Sequence, residues 1–117
     1  MHFDSDLNKE NSFTKVNRIK KYIDEHITEE LTLAMLADEF EVSIHYLSHL
    51  FKKYTGDTVL RYINVRRLNL VRGYYASGSN LLDAALMAGF GYYSSFYRAY
   101  IKEFGVSPRK HQNLQNK

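Results

Sequence analysis

The residues best suited to chemistry in this chain of 117 residues fall into two short clusters. In the first, His45 and His49 stand four apart with Ser48 between them and Ile44 in front. A spacing of four puts both imidazoles on one face of a helix, which suits a two-histidine metal clip. No glutamate follows His45 as in metalloprotease helices, no third ligand is evident and the chain has no cysteine, so no metal site is expected. The same side chains donate and accept hydrogen bonds of the kind that read base edges, and Ile44 suits a thymine methyl group. None makes the bidentate contact of an arginine, so weak reading is expected from this cluster. The second cluster is Tyr93, Ser94, Tyr97 and Arg98, in which Arg98 is the natural reader of guanine. Lys52, Lys53 and Lys102 lie farther along and suit phosphate contacts, which position a protein without specifying sequence. No nucleophile–base pair, phosphate-binding glycine loop or carboxylate dyad appears, so neither catalysis nor a cofactor is expected.

A net charge of +3 conceals a strong asymmetry. Residues 1–42 hold five Lys/Arg against ten Asp/Glu, a net of −5, whereas residues 43–73 hold six against Asp57 alone, a net of +5. Residues 74–88 contain only Asp83, and residues 89–117 carry five positive side chains against Glu103, a net of +4. Two basic blocks around a neutral stretch fit a polyanion touched twice, although solvated helix faces produce such blocks too. With 44% apolar and 15% aromatic residues the chain can bury a core. No apolar run reaches the roughly 18 residues of a membrane span and the N-terminus lacks a signal-peptide core, so no membrane contact is expected. The lack of cysteine suits a reducing, cytoplasmic setting.

The elements that must position these clusters read as helices. Residues 1–13 are polar and aperiodic and read as a disordered tail or the stub of an interdomain linker. A helical period starts at Thr14 with Val16, Ile19, Ile23 and Ile27. Thr32 is placed to cap a second helix, Leu33 to about Phe40, with Leu33, Leu36 and Ala37 as its apolar stripe. After a tight break at Glu41-Val42, Ser43 caps a third helix that reaches Tyr54 and stops at Gly56; Leu47, Leu50 and Phe51 face inward, and Ile44, His45, Ser48 and His49 face elsewhere. A long helix is expected from about Thr58 to Ser77, with Gly73 a mild misfit inside it. Asn80 and Asp83 resemble a capping box opening a short helix to Ala88. Ser94 or a neighbour starts a further helix ending at Gly105, and Ser107-Pro108 opens a last one.

Two segments look like copies of one pattern. Ala37 corresponds to Ala85 at an offset of 48, while Leu47 and Phe96, Phe51 and Tyr100, and Gly56 and Gly105 correspond at 49. The change of offset implies that the second turn, around Gly89-Phe90-Gly91, is one residue longer. Each copy is a short helix with alanine at its packing point, a turn, then a helix with an aromatic anchor, the helix-turn-helix layout. In that layout the outward N-terminal residues of the second helix reach base edges. These are the two clusters above.

Over roughly residues 14–112 the sequence resembles the DNA-binding domain of the AraC/XylS regulators. The resemblance is carried by Leu31-Thr-Leu-Ala-Met-Leu-Ala37, Ser43-Ile-His-Tyr-Leu-Ser-His-Leu-Phe-Lys-Lys-Tyr-Thr-Gly56 and Tyr62-Ile-Asn-Val-Arg-Arg-Leu68. In the second half it is carried by Ala85-Leu-Met-Ala-Gly-Phe90, Ser95-Phe96 with Arg98, and Phe104-Gly-Val-Ser-Pro108. Three positions depart from the family. Tyr100-Ile101 stands where Phe-Lys is usual, His111-Gln112 where an aromatic-Arg pair is common, and Ala84 where a larger aliphatic is usual. The resemblance implies base contacts at His45, Ser48 and His49, double-stranded DNA as the partner, and RNA polymerase as a possible further one.

The expectation is therefore an all-α chain of seven helices with two helix-turn-helix subdomains, residues 14–57 and 79–117, joined by a linker helix over residues 58–78. Twenty helical residues span about 30 Å, close to the roughly 34 Å of one DNA turn, so one copy can place both recognition helices in successive major grooves. The function expected is sequence-specific binding of double-stranded DNA by a bacterial transcription regulator. The chain would be the C-terminal domain of a larger regulator or a complete small one. A helical protein-interaction module would tolerate the same helices but would not require two basic blocks.

Overall fold

The first three helices each open on a side chain that accepts a backbone N–H. Asn11 accepts from Thr14 at 2.8 Å and starts α1, Ser12–Glu25. Thr32 accepts from Met35 at 3.1 Å and starts α2, Leu33–Phe40; Ser43 accepts from Tyr46 at 3.0 Å and starts α3, Ile44–Thr55. Each such bond satisfies one of the amides that a helix start leaves without a partner. The computed structural model describes residues 11–115, with side chains through His111. The tail expected over residues 1–13 lies, for residues 1–10, outside the described residues; at its end Asn11 is a cap and Ser12 and Phe13 are helical, so α1 begins two residues before Thr14.

α4 is Val59–Ala76, α5 Leu81–Met87, α6 Tyr93–Phe104 and α7 Pro108–Gln115, making seven helices and no strand among the described residues. The chain divides into two compact units between Ile63 and Asn64, inside α4. In the first, Val16, Ile19 and Ile23 of α1 meet Leu36 and Ala37 of α2, Leu47, Leu50 and Phe51 of α3, and Val59 and Ile63 of α4. Burying such side chains is worth about 1.5–3 kcal/mol each, which holds short helices together better than their intrinsic propensity could. Leu33, expected in the apolar stripe of α2, is exposed. Ile27 lies beyond α1 but still packs on this core.

The second unit is built around Leu68 and Val71 of α4, Ala84, Ala85 and Ala88, Phe90, and Phe96 and Ala99 of α6. Ala84, Ala85 and Ala88 are fully buried, so the smaller residue at position 84 still lies inside the core. Asn80 caps α5 by accepting from the Asp83 amide at 2.8 Å, and its side-chain amide donates to the Asp83 carboxylate at 3.2 Å. The aspartate thus closes the motif through a side chain and not through the cap's backbone N–H. α4 runs unbroken through Gly73, where a Cβ would meet nothing within 4 Å. His111 packs against Tyr100 and Phe104, with ring centroids 5.7 and 5.8 Å apart, and Tyr100 and His111 share a hydrogen bond. Burial pushes the Tyr100 phenol above its ordinary value, against a smaller opposing effect of Arg72. The departure at His111 therefore keeps α7 docked by another chemistry.

The two units repeat down to single hydrogen bonds. Val42 N–H donates to the Ala37 carbonyl at 3.0 Å, and Phe90 N–H to the Ala85 carbonyl at 3.2 Å, both at offset 48. Between them Glu41 adopts the left-handed conformation with φ 57°, and Gly89 stands at the matching place with φ 107°. The caps Ser43 and Tyr92 match at offset 49, so the added residue of the second turn is Gly91. The matching continues past Gly56 and Gly105, at φ 79° and 78°. Thr58 accepts from Arg61 N–H at 3.0 Å and Ser107 from Lys110 N–H at 3.1 Å. Tyr62 packs on Phe51 and His111 on Tyr100, both edge to face. Each copy thus comprises a helix pair and the first turn of the helix after it.

Candidate nucleic-acid interface

In the first unit α3 turns Leu47, Leu50 and Phe51 into the core. The opposite side presents Ile44, His45, His49, Lys52 and Lys53, all exposed, with Ser48 half-buried. The rings of His45 and His49 lie nearly parallel, 6.0 Å apart at 19°. Beside them is a cleft of about 460 Å³ lined by Leu33, His45, Ser48, His49, Lys52, Thr58, Val59 and Leu60. Leu33 is exposed for this reason: it forms one wall of the cleft and is not part of the core. An apolar floor next to hydrogen-bonding imidazoles can take a methyl-bearing base edge as well as a polar one. Lys52 reaches the cleft, while the Lys53 ammonium lies 5.5 Å from the Tyr54 ring.

The second unit presents the matching positions of α6. By the repeat, Ile44, His45, Ser48 and His49 correspond to Tyr93, Ser94, Tyr97 and Arg98. Ser94, Tyr97, Arg98 and Lys102 are exposed. Tyr93 is half-buried, its ring 5.3 Å from Phe96 and 6.4 Å from Tyr97, so packing holds it more than the others. The helix starts at Tyr93, one residue before Ser94, and its cap Tyr92 makes no side-chain cap bond. Tyr92 is 74% exposed at the N-terminal end of α6. Sequence reasoning missed it, although a large aromatic where the first copy has the capping Ser43 was the available signal.

Charge counted along the chain overstates the first basic block. Arg61 donates to Asp57 at 2.7 Å, and Arg67 is buried over the Phe90 ring, 6.0 Å away. Desolvation draws the Arg67 guanidinium below its ordinary value. Exposed Lys52, Lys53 and Arg72 remain from that block, and Arg98, Lys102, Arg109 and Lys110 from the other. Among the described residues no group of three metal-binding side chains comes together, and no helix is long and apolar enough to cross a membrane.

A family model described as a helix-turn-helix domain matches residues 36–113. The HTH-type transcriptional activator RhaS of Enterobacter sp. (strain 638) is 31% identical over 104 residues, covering 86% of this chain and 37% of that protein. The chain therefore spans little more than a third of the length of this relative. Among solved structures, the C-terminal domain of AraT, a response regulator from Geobacillus stearothermophilus, superposes with a TM-score of 0.74 at 26% identity, covering 85% of this chain and 84% of that one. The DNA-binding domain of AdpA, a global transcriptional factor solved with a target DNA, also has a TM-score of 0.74, over 85% of this chain and 90% of that one; at 18% identity this is a likeness of fold.

Proposed function

This chain belongs to the AraC-type family of helix-turn-helix DNA-binding domains, and from that premise we propose that it reads double-stranded DNA with α3 and α6, each laid in a major groove. The observation that carries this reading is the equivalence of the two outward clusters. Ile44, His45, Ser48 and His49 occupy the same places on α3 that Tyr93, Ser94, Tyr97 and Arg98 occupy on α6. All eight sit in the first half of their helices, where groove-facing side chains reach base edges. We assign base reading to these residues and phosphate contact to Lys52, Lys53 and Lys102. The proposal includes two successive major grooves of one duplex. We further propose that the chain serves a bacterial transcription regulator in the cytoplasm, as an activator with RNA polymerase as its protein partner. RhaS, its relative, is a transcriptional activator.

Selection of bound fragments from random duplex DNA tests this reading. The expected product is an asymmetric site with two short conserved blocks one helical turn apart. Recovery of unselected, sequence-neutral fragments, or of one block only, would contradict it.

A further inference from the structure

Lys15 and Arg67 are the two buried charged side chains among the described residues, 6% and 8% exposed. Each stands one residue before a buried aliphatic, Val16 or Leu68. Each also lies over an aromatic ring, Lys15 at 5.6 Å from Tyr46 and Arg67 at 6.0 Å from Phe90. The two ring partners differ. Phe90 is a core residue without a polar atom, whereas Tyr46 is the third residue of α3, 37% exposed, and Lys15 Nζ donates to its hydroxyl oxygen at 3.0 Å.

An ammonium group has donors only, so the phenol is the acceptor in that bond and its own hydrogen is left to be donated. A buried cation gains most from a partner that brings negative charge, and among the described residues no carboxylate pairs with Lys15. Tyr46 lies about 20° around the helix from Lys53, at two turns' distance, so the two share one edge of α3 next to the base-reading side. We propose that Lys15 and Tyr46 form a phosphodiester subsite of the first unit. Tyr46 donates to a non-bridging phosphate oxygen, and Lys15 behind it holds the phenol and supplies the charge. The subsite rests on the DNA-binding reading above, and the second unit has no counterpart, because Ser95 stands where Tyr46 would be.

The test is full-chain affinity for a duplex recovered by random selection, and for the same duplex with each base pair exchanged in turn. Tyr46→Phe keeps the ring and removes only the donor; a loss of about tenfold, equal on every duplex, is expected. Lys15→Met keeps a buried stem and removes the charge, and should lower the slope of log affinity against log salt by about 0.9. The double variant should lose less than the product of the two single losses, because the groups act as one. Thermal melts separate lost contact from lost fold, and if Lys15→Met does not fold, Tyr46→Phe alone decides. If the unaltered chain binds no duplex, the DNA-binding reading itself fails. If the unaltered chain binds and Tyr46→Phe binds equally well, or loses affinity only at particular base pairs, the subsite is wrong.

Discussion

Arg98 and His49 hold one position in the repeated unit, yet their reach differs. An arginine can place two N–H groups on O6 and N7 of one guanine, whereas an imidazole offers a single donor or acceptor toward the base. Arg98→Ala should therefore cost about 1–3 kcal/mol on the preferred site and relax base preference at one position. Lys53→Ala should weaken all sequences alike. Affinities on a panel of single-base-pair variants separate the two outcomes, and a uniform loss from Arg98→Ala makes Arg98 a phosphate contact instead. The outward phase of these residues was legible because Leu47, Leu50 and Phe51, or Phe96 and Ala99, fix which side of each helix is buried. The buried cations were not legible. Pattern reading assigns every lysine and arginine to solvent, and Lys15 and Arg67 differ from their neighbours only in what tertiary packing places above them.

At the scale of elements, the turns set how α2 meets α3 and α5 meets α6. Glu41 adopts a left-handed conformation that the second copy gives to Gly89. A side chain there costs about 1–2 kcal/mol and glycine's extra unfolded freedom returns about 0.5–1, so Glu41→Gly should raise stability by roughly 0.5–1 kcal/mol. A denaturation midpoint that falls would contradict this. Gly56, at φ 79°, has open space where a Cβ would sit, so by the same balance Gly56→Ala should lower stability by about 0.5–1 kcal/mol through backbone strain, without loss of packing. An unchanged midpoint would contradict it. Capping residues made most helix starts readable to within a residue. α1 is the exception, because Asn11 sits in a polar stretch where no apolar period has yet begun. The start of α6 was displaced for the complementary reason: Tyr92 caps with backbone geometry alone, and the serines after it are better cap formers that lie inside the helix.

For the whole molecule, the duplication was readable from four residue pairs, because alanine, aromatic and glycine positions carry most of the geometry of a helix pair. Its extension through Thr58 and Ser107 to Tyr62 and His111 was hidden by chemistry that differs while the packing is shared. The acidic N-terminal third and the basic remainder give the chain a polarity that its net charge of +3 does not convey. Pairing of Arg61 and burial of Arg67 leave fewer cations for a polyanion than the sequence count implies. We propose that the remaining surface cations bind duplex DNA through its phosphates while α3 and α6 read the bases. The most direct test of this central claim is a salt titration of affinity for a selected duplex. Three lysine contacts alone, Lys52, Lys53 and Lys102, give a log–log slope near −2.7, or about a fortyfold loss between roughly 50 and 200 mM salt. A steep fall of at least that size is predicted; affinity that stays constant across the same range would contradict the account.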